Sequence, residues 1–291
     1  MLKKYKKNVL VLGGSGFLGS HVCDALTNYG YKVTIYDLKK SKWINEKQKM
    51  VIGSLLNVKK LKNYVKKNNI IFNFAGVSDL DEAVKNPIST IKLNILANMQ
   101  LLKICSHYKV SRYIYSSSIY AGSTQGGFYS ASKRSAEDYI KEFCTLSRLD
   151  YTILRYGTVY GPRATDTNSV KNIIKYAIKN KKILYPGNKK SKREYIHVKD
   201  AAKASVEILN KKFVNKCLML TGKKSIKIIN FLKILANNLD IKGQIKFKNK
   251  ERYGHYISKP KNYKIMKAEK LHFKNLHSFK EEIINFKKWV Y

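Results

Sequence analysis

Hydrophobic and polar positions over the first 160 residues alternate between two periods. "NVLVLGG" (8–14) is a short apolar run that ends in glycines, as a buried strand does. "FLGSHVCDALTNYG" (17–30) carries apolar residues at helical spacing and stops at Asn28 and Gly30. "YKVTIYD" (31–37), "KMVIGS" (49–54) and "NIIFNFAG" (69–76) predict further strands, with a helix over "NVKKLKNYVKK" (57–67). A long apolar-striped helix is predicted over 89–108, a strand over 111–118, a helix over 129–147 and a strand over 150–157. This order predicts the α/β class: a doubly wound parallel sheet of Rossmann type with helices on both faces. Beyond 160 the rhythm breaks. Helices over 167–180, 199–210 and 227–239 and one strand over 215–222 predict a smaller mixed C-terminal lobe. There is no repeat and no long linker.

The 291 residues, 44% of them hydrophobic, suffice for one large core with a smaller companion. No apolar stretch approaches the ~18 residues of a membrane helix. The basic start is followed only by Val9 to Leu12 before the glycines, without a convincing cleavage site. The expectation is a cytoplasmic chain with no membrane partner. Cys23, Cys105, Cys144 and Cys217 form no CxxC, and the six histidines form no HxxxH or HExxH pair, so no metal is expected. The charge is unusual: 58 Lys+Arg against 19 Asp+Glu gives +39. Such a balance attracts polyanions. The lysines are nevertheless scattered in pairs, with no basic-aromatic cluster, and the reading is compositional drift rather than a nucleic-acid surface.

Two motifs carry chemistry. Gly13, Gly16 and Gly19 follow a strand and open a helix. That spacing suits a tight turn, close approach of a pyrophosphate and tight helix–strand packing, with free helix N–H groups facing the phosphates. Eighteen residues past Gly19, Asp37 ends the second strand, where a carboxylate accepts from a ribose and repels a 2′-phosphate. Lys39 and Lys40 beside it soften that choice. The second motif is "YSASK", which puts Tyr129 and Lys133 one helical turn apart. A lysine there favours the phenolate. Work near neutral pH asks for a shift of about three units, or about 4 kcal/mol. Tyrosine–lysine pairs also occur in "YVKK" (64–67) and "YAIK" (176–179), three residues apart and outside any such context.

With "VLVLGGSGFLGSH", "IFNFAGVSD", "LNILANMQLL", "YSSSIY", "YSASK", "LRYGTVYGPR" and "REYIHVKDAA" in this order, the chain resembles the extended short-chain dehydrogenase/reductases. Within them it is similar to the NAD-dependent epimerase/dehydratase branch that acts on nucleotide sugars. The similarity runs from about residue 8 to 222 and more faintly through 255–271. It implies a catalytic set of Ser118, Tyr129 and Lys133, with Ser117 the alternative to Ser118 one position away. It implies NAD held by Gly13, Gly16, Phe17, Leu18, Gly19, Asp37, Ser54, Leu55, Phe74, Ala75, Gly76, Ser78, Asn94, Tyr129, Lys133 and Tyr156. Ser54 stands where an Asp often holds the adenine. The resemblance further implies substrate contacts from Ser118, Thr158 and Arg193, the last as a fork for a diphosphate. His197 is expected to be a packed strand histidine and Asp200 the N-cap of the helix at 199–210.

The resemblance assigns 1–160 with about 195–222 to NAD binding, and about 161–194 with 223–291 to a substrate lobe. Its dehydratases carry Asp-Glu directly after the catalytic Ser/Thr, where this chain has Ile119 and Tyr120, so 4,6-dehydration is disfavoured. The expected reaction is hydride abstraction from a nucleotide-diphosphate sugar, at C4, as an epimerase. Net dehydrogenation or reduction is the alternative, and RNA binding on the same fold a third reading. In the expected mechanism Tyr129 is the base, and Lys133 lowers its pKa and holds the nicotinamide ribose. Relatives usually pair the helices at 89–108 and 129–147 into a homodimer. Leu101, Leu102, Ile104 and Phe143 are apolar positions outside a single stripe there.

Overall fold

The computed structural model describes residues 7–123, 125–241, 245–247, 268–273 and 277–290. Strand β1 (Asn8–Leu12) is apolar on both faces and lies inside the sheet: Val9 and Val11 enter one core, Leu10 and Leu12 the other. After it come α1 (Phe17–Asn28), β2 (Lys32–Asp37), β3 (Gln48–Ile52), α2 (Val58–Val65) and β4 (Ile70–Asn73). Then follow α3 (Leu80–Lys85), α4 (Pro87–Ile91), α5 (Ala97–His107), β5 (Arg112–Ser118), α6 (Gly127–Ser147) and β6 (Tyr151–Tyr156). The chain continues through β7 (Thr158–Tyr160), α7 (Ser169–Asn180), β8 (Ile183–Tyr185), β9 (Lys192–Arg193), β10 (Tyr195–His197) and α8 (Val198–Glu207). It ends with β11 (Lys216–Leu220), β12 (Ile226–Lys227), α9 (Ile228–Asn238), β13 (Ile245–Phe247), β14 (Glu269–Lys270), α10 (Phe279–Ile284) and α11 (Lys287–Val290).

The main sheet runs β14-β11-β6-β5-β4-β1-β2-β3, parallel at every pairing. Order reverses beside β1, and the crevice at the carboxyl ends of β1 and β4 is where such sheets bind ligands. Val22, Cys23 and Leu26 of α1 and Ala201 and Ala204 of α8 cover one face. Leu61 and Val65 of α2, Leu101 and Leu102 of α5 and Ala136 and Ile140 of α6 cover the other. The doubly wound reading therefore holds. A third apolar cluster, with Ile173 and Ile174 from α7, Phe231 and Leu232 from α9 and Trp289 from α11, has its own small sheets β10-β7, β12-β9 and β13-β8.

Three expectations change. The helix predicted from 89 begins at Pro87, whose fixed φ and missing N–H suit a first turn. It then loosens into a π-helical turn at Lys92–Leu96 before α5. Leu101, Leu102 and Ile104 are buried in the core and do not face outward, while Phe143 is half-buried against it. Exposed apolar residues there include Ile88, Ile91, Leu96, Phe128, Tyr139 and Leu146. Asp200 lies in the first turn of α8 but does not cap it: its carboxylate accepts from the His277 backbone N–H at 3.1 Å and meets His277 Nδ1 at 2.9 Å. The motif at 255–271 falls outside the described residues except for 268–271. Among the described residues, no helix is long and apolar enough to cross a membrane.

Candidate active site

Along the carboxyl ends of β1, β4, β5 and β6 runs a cleft of about 1800 Å³. A usual small-ligand site spans ~300–1,000 Å³, so this one has room for two ligands end to end. Its wall includes Gly13, Gly16, Phe17, Leu18, Gly19, Phe74, Gly76, Ser78, Ser118, Tyr129, Tyr156, Thr158 and Arg193. Asp37, Ser54, Leu55, Ala75, Asn94 and Lys133 stand outside that wall.

The glycine loop suits a dinucleotide. Gly13 has φ +77°, and a Cβ on it would press on the backbone of Phe74 and Ala75. One on Gly19 would strike the Gly13 carbonyl, so both are demanded by packing. Gly16 is different: a Cβ there meets only the Gly13 oxygen, at 3.3 Å, which leaves open space for a ligand. No side chain caps α1, so its first N–H groups are available to an anion. Asp37 ends β2 beside the loop, and its Oδ2 accepts from the Ser15 N–H at 2.9 Å. Ser54 is turned inward locally, its Oγ accepting from the Leu56 N–H at 3.1 Å, and Leu55 is buried in the core.

Asn94, in the π-helical turn, braces the opposite wall. Its Oδ1 accepts from the Val77 N–H at 2.8 Å, while its Nδ2 donates to the Val77 carbonyl at 3.0 Å and to Ser132 Oγ at 2.9 Å. The loop after β4 is thereby tied to α6. Tyr156 reaches the cleft wall, but its hydroxyl is 2.7 Å from Ser205 Oγ in the core and is already spoken for.

Tyr129 sits in the first turn of α6, where the helix dipole favours a phenolate by roughly 0.3–1 kcal/mol. Gly126 makes this turn possible: φ is +100°, and a Cβ would lie 2.7 Å from Ser130 Cβ and 2.8 Å from the Tyr120 ring. The Ser118 side chain lies near enough to the Tyr129 hydroxyl to favour its phenolate. Ser117 faces the other way, donating to Glu137 Oε1 at 2.5 Å, so of the two serines it is Ser118 that meets Tyr129. Burial pushes the Tyr129 phenol up to about 12, with Ser118 opposing the rise and Asp79 adding to it. Full ionisation at neutral pH thus asks for about five units, or about 7 kcal/mol, rather than the three inferred from the motif.

Lys133, one turn along α6 from Tyr129, reaches back toward β5. Its Nζ donates to the Ser116 carbonyl at 2.8 Å, lies 4.8 Å from the Tyr115 ring centroid and 6.0 Å from that of Tyr129. Burial brings Lys133 itself down to about 8, and the Glu137 carboxylate opposes that fall.

Two features escaped the sequence reading. Helix α3 brings Asp79, Asp81 and Glu82 to the cleft, with Asp79 Oδ1 accepting the Glu82 N–H at 2.9 Å. The D-x-x-E spacing of a capping box was the available signal. Under the site, Glu137 of α6 and Arg155 of β6 form a fully buried pair: Nε–Oε1 is 2.8 Å and Nη2–Oε2 is 2.5 Å. Nothing in the local pattern of either segment announces it. At the far end, Arg193 Nη1 donates to the Lys192 carbonyl at 2.9 Å, and the Thr158 N–H donates to the Glu194 carbonyl at 3.1 Å.

Residues 9–217 match the family model described as the NAD dependent epimerase/dehydratase family. A putative UDP-glucose 4-epimerase of Methanocaldococcus jannaschii is 26% identical, covering 97% of this chain and 98% of its own length. A UDP-N-acetyl-alpha-D-glucosaminuronate decarboxylase of Bacillus cytotoxicus is 26% identical over 77% of each chain. Among solved structures, the UDP-N-acetylglucosamine 4-epimerase of Methanobrevibacter ruminantium, in complex with UDP-N-acetylmuramic acid, superposes with a TM-score of 0.84 at 27% identity over 98% of both chains.

Proposed function

The chain belongs to the NAD-dependent epimerase/dehydratase family, and on that premise we propose that it inverts one carbon, C4, of a nucleotide-diphosphate sugar. The observation that carries this reading is the buried Tyr129, with Ser118 beside it, on the wall of a large cleft that also takes in the Gly13–Gly19 loop. The loop, Asp37 and the Asn94-braced turn at Phe74–Ser78 would hold NAD, with 1–160 and about 195–222 as its domain. Thr158 and Arg193 would hold the substrate, with about 161–194 and 223–291 as its lobe. Bound NAD⁺ supplies a hydride acceptor that returns the hydride, and a positive charge beside the phenol.

The residues' own work is proton handling. Tyr129 takes the proton of the sugar hydroxyl as its C–H bond breaks and gives it back when the carbon is re-reduced. Ser118 fixes that oxygen and solvates the phenolate. Tyr129 has to be a phenolate before it can accept that proton, which costs about 7 kcal/mol at neutral pH, and the positive charge of bound NAD⁺ would lower that cost. Lys133, with Nζ anchored at Ser116 rather than on the phenol, is assigned to the ribose side. Ile119 is buried and Tyr120 lines the cleft, which leaves no acid–base pair next to Ser118 and supports inversion over elimination of water.

The test is incubation with NAD⁺ and, in turn, UDP-glucose, UDP-N-acetylglucosamine and UDP-glucuronate. The expected result is a 4-epimer in the NMR spectrum without net cofactor reduction. Stoichiometric cofactor reduction with a keto product would replace epimerase by dehydrogenase. A 4-keto-6-deoxy product would overturn the argument from Ile119 and Tyr120.

A further inference from the structure

Away from the cleft, where β10 meets the C-terminal segment, three potential ligands converge. His197, His277 and Glu282 each offer one atom, and these atoms lie within 4.8 Å of one another. We propose that His197, His277 and Glu282 form a binding site for a divalent transition-metal ion of the zinc class, which fastens the C-terminal segment to the strand β10. The first support is an unmet polar demand. His197 is 3% exposed, and among the described residues neither of its ring nitrogens has a hydrogen-bond partner. A buried imidazole left so keeps an uncompensated desolvation penalty that a ligand on its ring nitrogen would relieve. Its Nε2 is 3.8 Å from Glu282 Oε2, too far for a hydrogen bond. Gly161 keeps that nitrogen clear, because a Cβ there would come within 2.8 Å of it.

The second support is the preparation of His277. Its Nδ1 is 2.9 Å from Asp200 Oδ1, and Asp200 Oδ2 accepts the His277 backbone N–H at 3.1 Å. A carboxylate on Nδ1 fixes the tautomer and leaves Nε2 as the basic nitrogen, the arrangement by which proteins orient a metal-binding histidine. Two histidines and a carboxylate suit zinc, cobalt or nickel rather than magnesium or calcium. Two carboxylates, Glu282 and Asp200, offset the divalent charge against Lys199, the nearby cation that acts on His197.

Zinc bonds of about 2.0–2.2 Å place ligand atoms about 3.3–3.5 Å apart, so the side chains must close by about 1 Å. His277 and Glu282 are 22% and 25% exposed and have room to do so. The rings of His197 and His277 stack at 4.0 Å with 25° between planes, and closure turns them toward a common point. No short sequence spacing could have announced this set, since its members come from a strand, a coil and a helix eighty residues apart.

The test is titration of the untagged, metal-free chain with Co²⁺ alone, then displacement by Zn²⁺. One Co²⁺ per chain with four-coordinate visible absorption is expected, released by zinc. His277→Ala and Glu282→Gln should each weaken binding at least tenfold, and Asp200→Asn by about 10–100-fold through orientation of His277. At zinc a hundredfold above Kd, melting should rise by about 4 °C in the wild type and not in His277→Ala. His277→Ala also controls for folding, since it removes a partly exposed ring while His197 stays in place. Binding that is absent, or that is equal in wild type and His277→Ala, overturns the site.

Discussion

Replacing Glu137 by Gln tests how the floor of the active site is held. Glu137 and Arg155 have no exposed side-chain surface, and they meet through two short contacts, with Ser117 donating to the same carboxylate. Glutamine keeps the shape and removes the charge, leaving a buried guanidinium without its carboxylate. Breaking such a pair from one side costs about 3–5 kcal/mol. At roughly 2.1 cal/mol/K per residue over 291 residues, the unfolding entropy at the midpoint is about 0.6 kcal/mol/K. The midpoint should therefore fall by about 5–8 °C in calorimetry. Glu137→Leu with Arg155→Met should return to within about 2 °C of wild type, because two apolar side chains need no compensation in a dry site. The single variant should also pull Lys133 below its value of about 8, since Glu137 is the group that opposes its fall. A midpoint for Glu137→Gln within about 2 °C of wild type would show that the pair is not the charge lock described, and the argument would be wrong.

Tyr129→Phe should leave folding and NAD binding intact and lower turnover by about 10²–10⁴-fold, read by single-turnover hydride transfer; near-normal rates would remove Tyr129 from the mechanism. Lys133→Met should abolish most activity yet melt above wild type below pH 8. The folded pKa of about 8 lies under the ordinary 10.5, so the burial cost of the ammonium is fully present below pH 8 and is relieved as pH rises toward 10.5. The stability gap, at most about 3 kcal/mol before the lost Ser116 bond is subtracted, should close over that window in paired denaturation curves. Asp37→Ala should narrow a preference for NAD over NADP by about tenfold or more, and a wild type that prefers NADP in direct titration would instead point to Lys39 and Lys40. The chain should be a homodimer through the exposed Ile88, Ile91, Leu96, Tyr139 and Leu146, and a monomeric mass by light scattering in moderate salt would refute that.

The chain's own pattern determined the sheet. A strand such as Val9–Leu12 that is apolar on both faces has to be covered twice, and alternating helices supply the cover, so the doubly wound order followed from local periods alone. The glycine loop and the Tyr129–Lys133 turn were legible for the same reason: backbone approach and i,i+4 adjacency are short-range facts. Tertiary structure decided the rest. The pKa of Tyr129 depends on burial, which no spacing reports, and Lys133 of α6 turns to a carbonyl of strand β5. Ser118 rather than Ser117 meets Tyr129 because strand alternation sends the two side chains to opposite faces, and only the packed sheet says which face holds the cleft. Glu137 with Arg155, Asn94 with Val77 and Ser132, and Asp200 with His277 join residues far apart in sequence. Their attraction is realised only where the fold has already excluded water.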